Sequence, residues 1–301
     1  MKRIFRALFQ QRPADTITII FLLFLTGLTL FYFAILPRAP YLLSIYSLMI
    51  LTQIILIRFR DNGRFIRNFY DVIFPIICVL AVFDSLEWVV HYINPEDIDP
   101  VLIKLDYLIF GNHPTVLLES IMNPFLTDIL QIAYSTYYFI PISFGIILLM
   151  NKQREEFDKT IFMILLCFYL SYLGYILFPA LGPRFCLSNI QTRELQGFFA
   201  AEPIQNLLNR LEGIKRDAFP SGHTGIALTV LYLAYRYKRG YFWIALPIIS
   251  ALIFSTVYCR YHYVVDIIAG FGLTLLTIVL GEWYYGWWMK RQVKSRTDYR
   301  T

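Results

Sequence analysis

The chain has 301 residues, of which 57% are hydrophobic, 18% aromatic and only 16% charged. A soluble protein of this size carries about a quarter charged residues, so the composition excludes an ordinary water-soluble domain and indicates several helical membrane spans. The net charge of +6 raises nucleic acid as a partner, but the placement of the charges removes it.

With about 20 apolar residues per span, eight spans are expected, over 16–36, 41–57, 71–93, 126–150, 160–179, 221–237, 241–259 and 263–288. The first follows Lys2, Arg3 and Arg6 as a signal peptide's apolar region would. Its length and the lack of a small-residue cleavage site favour a retained span. Asp99-Pro100 opens a short apolar stretch to Phe110 that reads as an interfacial helix. The stretches 94–125 and 180–220 are the two long connections. Cys78, Cys167, Cys186 and Cys259 are scattered, with neither metal-ligand spacing nor a disulfide framework. Neither a metal nor a cofactor is expected.

An even number of spans places both termini on one side, together with alternate loops. That side takes 19 of the 27 lysines and arginines, including Arg12, Arg60, Arg154, Arg239 and Lys290. The positive-inside rule makes it cytoplasmic, in a plasma or inner membrane, and the charge reads as topology and anionic-lipid contact. The aromatic run Trp283–Trp288 before Lys290 fits an interfacial belt on the same side.

Three polar clusters then fall together on the opposite, extracytoplasmic side. The fifth span ends at "FPALGPRF" with Arg184, the sixth begins at "FPSGHTG", and the last two meet at "STVYCRYHYVVDIIAG". His262 and Asp266 are four residues apart, on one helical face, so the carboxylate can hold one ring nitrogen and leave the other to attack. Ser221, Gly222 and His223 open a helix, where free N–H groups and the dipole favour an anion and Gly222 permits close approach. Arg184 and Arg260 supply fixed positive charge suited to phosphate oxygens. Two histidines, a carboxylate and two arginines make a phosphoryl-transfer centre without metal-ligand spacing.

These residues resemble the type 2 phosphatidic acid phosphatase superfamily. The middle motif Pro-Ser-Gly-His is Pro220–His223, and the final His-x-x-x-Asp is His262 to Asp266. The branch related to inositol phosphorylceramide synthases is nearest, through "YCRYHYVVD" at 258–266 and "GPR" at 182–184. The resemblance implies an all-α polytopic bundle of about eight spans: N-terminal transmembrane helices over 1–98, the catalytic membrane domain over 99–290 and a basic cytoplasmic tail over 291–301. It also implies that His262 attacks phosphorus to give a phosphohistidine, oriented by Asp266. His223 would protonate the leaving alkoxide and then activate the acceptor, while Arg184, Ser221 and Gly222 hold the phosphate. Two family positions depart: the first-motif lysine is Leu177 and the last-motif arginine is Thr256, a charge that Arg260 would replace. The incomplete phosphatase pattern favours a transferase, taking a membrane lipid and an alcohol or sugar acceptor. Water as acceptor would make it a lipid phosphate phosphatase, and a non-catalytic lipid-binding or transport protein is the distant alternative.

Asp84 and Glu87 lie on one face near the outer end of the third span, where carboxylates would suit the hydroxyls of a headgroup; boundary exposure is the plainer reading. Tyr134, Tyr137 and Tyr138 read as packing and interface aromatics. Lys215 and Arg216 read as a solvated loop.

Overall fold

The computed structural model describes residues 11–211 and 215–298. Lys2, Arg3, Arg6 and Arg300 lie outside the described residues, and the basic tail expected over 291–301 is described only to 298, as a continuation of the last helix. Among the described residues every regular element is helical. In chain order the main ones are α1 (Pro13–Phe31), α2 (Ala39–Asn62), α3 (Arg64–Leu86), α4 (Asp99–Phe110), α5 (Pro124–Met150), α6 (Arg154–Leu177), α7 (Ala201–Leu211), α8 (Gly222–Tyr237), α9 (Arg239–Tyr258) and α10 (Val264–Asp298). Short single turns connect several of them.

Seven of these helices are long and apolar enough to cross a membrane; α4, α7 and α8 are not among them. The chain is a multi-pass membrane protein. The sixth expected span is α8, whose 16 residues reach only about 24 Å at 1.5 Å per residue. Its first turns, Gly222–Ala227, are buried throughout. A helix wrapped by protein has no need to match the hydrocarbon thickness, so the eight-helix topology stands with one short, enclosed member.

α6 is the axis of the bundle and packs against α1, α3, α5, α8 and α10. Its polar side chains bond across the core: Tyr169 donates to the Thr18 hydroxyl at 3.1 Å and Tyr172 to the Val79 carbonyl at 3.1 Å. α8 meets α10 closely because Gly270 faces the Thr224 side chain and the Ser221 carbonyl, where a Cβ would collide. At the end away from the histidines, Arg12, Arg60 and Arg154 all bond the fully buried Asp71. This network ties α2, α3 and α6 to the chain just before α1. It gives partners to three arginines that the charge pattern alone marks only as topological.

Two features were not foreseen. α5 tightens to a 3-10 turn over Thr136–Tyr138, just before Pro141, whose missing N–H leaves that turn without its α-helical bond. The long connection 180–220 carries its own helix, α7, docked on the N-terminal part of α5.

Candidate active site

The two histidines come together at one end of the bundle. His262 sits in the turn between α9 and α10, and His223 is the second residue of α8. His262 Nε2 lies 3.3 Å from His223 Nδ1. The other nitrogen of His262, Nδ1, is 2.8 Å from the Ala218 carbonyl and 3.4 Å from Asp266 Oδ2. A carbonyl oxygen only accepts, so Nδ1 carries the proton and Nε2 presents its lone pair. Ala218 therefore shares with Asp266 the orienting role that the sequence assigns to Asp266 alone, and makes the shorter contact. A backbone carbonyl leaves no signature in a sequence, which explains the omission.

Asp266 is completely buried, and its Oδ2 accepts the Tyr263 N–H at 2.8 Å. Its carbonyl accepts the Ser221 N–H at 3.1 Å, joining the start of α8 to the start of α10. The Thr256 carbonyl takes the N–H groups of both Tyr261 and His262, at 2.8 and 3.0 Å. Thr256 itself is fully buried. The position of the family's arginine here supports the turn through its main chain.

Arg184 is placed by backbone pairing between motifs. Gly182 has φ +90°, and a Cβ there would strike the Tyr261 carbonyl, so only glycine fits. Asp99 accepts the N–H groups of Leu181 and Gly182, both at 2.8 Å, together with the Tyr263 hydroxyl. The Arg184 N–H then donates to the Arg260 carbonyl at 3.0 Å. Arg184 lies over the Tyr261 ring, 5.2 Å from its centroid. It also lines a polar cavity of about 900 Å³ with Gln191, Glu194, Lys215 and Arg260.

The structure adds detail to several of these expectations. Arg260 was expected to grip phosphate, but its Nη2 is held by Glu119 Oε1 at 2.8 Å and by the Arg193 carbonyl at 2.6 Å. It adopts φ +66°, a conformation uncommon without glycine, and ties the connecting loops to the site. Ser221 Oγ caps α8, accepting the Thr224 N–H at 3.2 Å and donating to Thr224 Oγ1 at 3.1 Å. Gly222 makes room for the Tyr175 hydroxyl, which a Cβ would strike. Asp84 and Glu87 are exposed and do not line the cavity, because their helix buries the opposite face through Val82, Ser85 and Leu86. Arg216, read as solvated, pairs with Asp97 through two contacts of 2.7 and 3.1 Å.

Sequence reasoning left other partners unnamed and passed over several groups. Tyr134 and Tyr137 pack on His223, with ring centroids 4.6 and 4.2 Å away. Their i, i+3 spacing put them on one face, but nothing in it named the face's neighbour. Asp106 accepts the first two N–H groups of α10, Val264 and Val265, both at 2.9 Å. Asp128 accepts four consecutive N–H groups, Phe198 to Ala201, and pins the start of α7 to α5. Asp217 lies within electrostatic reach of His262 and Arg184; burial raises its pKa above the usual carboxylate range, and those two groups draw it partly back.

Comparison with known proteins identifies relatives of the chain. The model of the PAP2 superfamily matches residues 101–280. A PA-phosphatase related-family protein of Dictyostelium discoideum is 24% identical over 186 residues, covering 55% of this chain and 34% of that protein. A phosphoinositol dihydroceramide synthase of Bacteroides thetaiotaomicron is 25% identical over 168 residues, covering 48% of this chain and 52% of the relative. The chain thus spans about a third and about half of the length of these two relatives. No solved structure matches.

Proposed function

We propose that this chain, which belongs to the PAP2 superfamily, is a lipid phosphotransferase working through a phosphohistidine on His262. The observation that carries the reading is the facing pair of ring nitrogens 3.3 Å apart, with the far nitrogen of His262 fixed as an N–H donor. The phosphorus of a membrane lipid phosphoester enters beside this pair. His262 Nε2 forms the N–P bond as the P–O bond to the leaving alcohol breaks, and the leaving oxygen takes a proton from His223. The positive charge on the His262 ring is balanced by Asp266, 3.4 Å away. His223, now neutral, removes the proton of an acceptor hydroxyl, which attacks phosphorus and releases His262. Arg184 and the N-terminus of α8 supply positive potential for the phosphoryl oxygens.

The acceptor we propose is the hydroxyl of a lipid or sugar. A polar cavity of about 900 Å³ reaching Arg184 supports room for a headgroup beside the phosphate. The likeness to a protein named as a phosphoinositol dihydroceramide synthase supports the same reading. The likeness to a PA-phosphatase related protein supports water as the competing acceptor. The centre belongs, on this reading, to the extracytoplasmic face, with the termini cytoplasmic.

Product analysis tests the proposal. Purified protein is incubated with a total lipid extract, with and without added alcohols, and the lipids and free phosphate are measured. A transferase yields a new phospholipid only when an acceptor is present. Stoichiometric inorganic phosphate from one lipid identifies the phosphatase instead. A His262→Ala variant that keeps full turnover contradicts both.

A further inference from the structure

An apolar cleft lies between α3 and α5, with α6 as its floor. Its volume is about 270 Å³. Its walls are Val72, Ile76 and Leu80 on one side, and Ile142, Gly145 and Ile146 on the other. Leu80, Ile142 and Ile146 are partly open to the outside of the bundle, so the cleft is a groove facing lipid.

Where the groove begins and how far it runs give it a meaning. One end is formed by Tyr137, Tyr138 and Phe168, and the Tyr137 ring packs 4.2 Å from the ring of His223. From Phe168 the floor runs back along α6 to Phe157, eleven residues and about 16 Å at the rise of a helix. α6 begins at Arg154, so Phe157 lies in its first turn and Phe168 near its middle. The groove therefore starts at Tyr137, which packs on His223, and runs to the end of the span away from the histidines.

We infer that this groove takes one hydrocarbon chain of the lipid substrate, laying it along α6 and leaving the attached phosphoester beside His223. The inference rests on the function proposed above and adds how the lipid is held. About 270 Å³ over 16 Å leaves a section one chain wide, so a second chain stays in the surrounding bilayer. Gly145 keeps the floor clear, since a Cβ there would already press on the Phe157 ring at 3.3 Å. Recognition is by length and apolar surface, at about 0.8 kcal/mol for each methylene moved from water. Chains that stop short of Phe157 and Ile146 leave the far end of the groove unfilled.

The far end of the groove shares Val72 with a second cleft lined by Arg64 and Arg154. A lipid of the other leaflet, with its headgroup on those arginines, would enter from that side and is the competing occupant. The Tyr137–His223 contact favours the first orientation.

Photolabelling separates them. Full-length protein in nanodiscs is irradiated with phosphatidates carrying a diazirine either at the terminal carbon of one acyl chain or next to its ester, and the adducts are mapped by mass spectrometry. The inference predicts terminal labelling at Val72, Ile146 and Ile161, and ester-side labelling at Leu80, Tyr138 and Phe168. The reverse gradient assigns the groove to the other leaflet and overturns it. Even labelling of perimeter residues such as Leu48 and Leu275, which are 63% and 65% exposed, overturns it too. In kinetics, Ile146→Trp blocks the far end, so kcat/KM falls roughly tenfold for long-chain phosphatidate and stays unchanged for short-chain phosphatidate. Equal loss at both lengths contradicts the inference. A groove gradient in a protein without His262-dependent turnover refutes the function but leaves the groove. Turnover without the gradient does the opposite.

Discussion

Replacing Asp266 by asparagine separates the two groups that hold His262. The side chain is fully buried and keeps its shape, and the remaining oxygen can still accept the Tyr263 N–H. The Ala218 carbonyl, 2.8 Å from Nδ1, still fixes the tautomer and the ring. Only the negative charge 3.4 Å from Nδ1 is lost. At an effective dielectric constant of about 20, a unit charge pair at that distance is worth about 5 kcal/mol. The pair exists only when the ring is cationic, after Nε2 has bonded phosphorus, so the loss falls on the transition state and not on substrate binding. At 1.36 kcal/mol per decade this amounts to about a 4 × 10³-fold fall in kcat, with KM within about threefold. The assay is steady-state turnover in mixed micelles, with the thermal midpoint in detergent as a folding control. A fall of less than about tenfold in a well-folded variant would show that Ala218 alone suffices and would refute the charge-balance step.

Other substitutions probe the supports of the site. Asp128→Asn removes the acceptor for the Phe198 and Phe199 N–H groups, two bonds to a charged oxygen. At about 1.5 kcal/mol each, hydrogen exchange over 195–205 should accelerate by about 10²-fold, while α6 is unchanged. Gly222→Ala should cost most of the activity because its methyl meets the Tyr175 hydroxyl, and Tyr175→Phe in the same chain should restore part of it. Asp217 has a folded-state pKa above the ordinary carboxylate value of about 3.9. The folded protein therefore holds its proton longer than the unfolded chain, and stability falls as pH rises through that window. Asp217→Asn should gain stability relative to wild type at pH 8 and gain none at pH 3, in paired thermal melts. Sidedness is tested with introduced cysteines, because the native Cys186 thiol is pushed up to about 12 by burial and then by Asp99, and reacts slowly. Phe199→Cys, at a site 76% exposed, should react with an impermeant thiol reagent from outside, and Phe65→Cys, at a site 83% exposed, only from the cytoplasm.

What the sequence reveals here follows the physics of each feature. Seven spans are legible because twenty apolar residues in a row have few other uses, and the short helix α4 is legible from Asp99-Pro100 and the apolar residues after it. His223, His262 and Asp266 are legible because span counting brings their segments to one end, where the structure places them in contact. The partners of Arg260 and Ser221 are not. Both offer the chemistry to bind phosphate, and both also bond within the protein, to Glu119 and the Arg193 carbonyl or to Thr224, partners that lie up to 141 residues away. Asp84 and Glu87 show the converse: their spacing sets a helical face but not which way that face turns. The carboxylates that organise the site, Asp99, Asp106 and Asp128, act on backbone N–H groups, and those partners carry no side-chain signature.

The claim on which the account depends is a covalent bond between His262 and phosphorus. The direct measurement uses a phosphoester with an aryloxide leaving group, which departs without help from His223, and a His223→Asn variant, which cannot activate the acceptor. After alkaline quenching and digestion, mass spectrometry reads the peptide containing His262. The account predicts an alkali-stable, acid-labile phosphoryl group on His262 that accumulates in His223→Asn beyond the wild-type level. An unmodified His262 alongside continued release of the aryl alcohol, or the phosphoryl group on another residue, would contradict it.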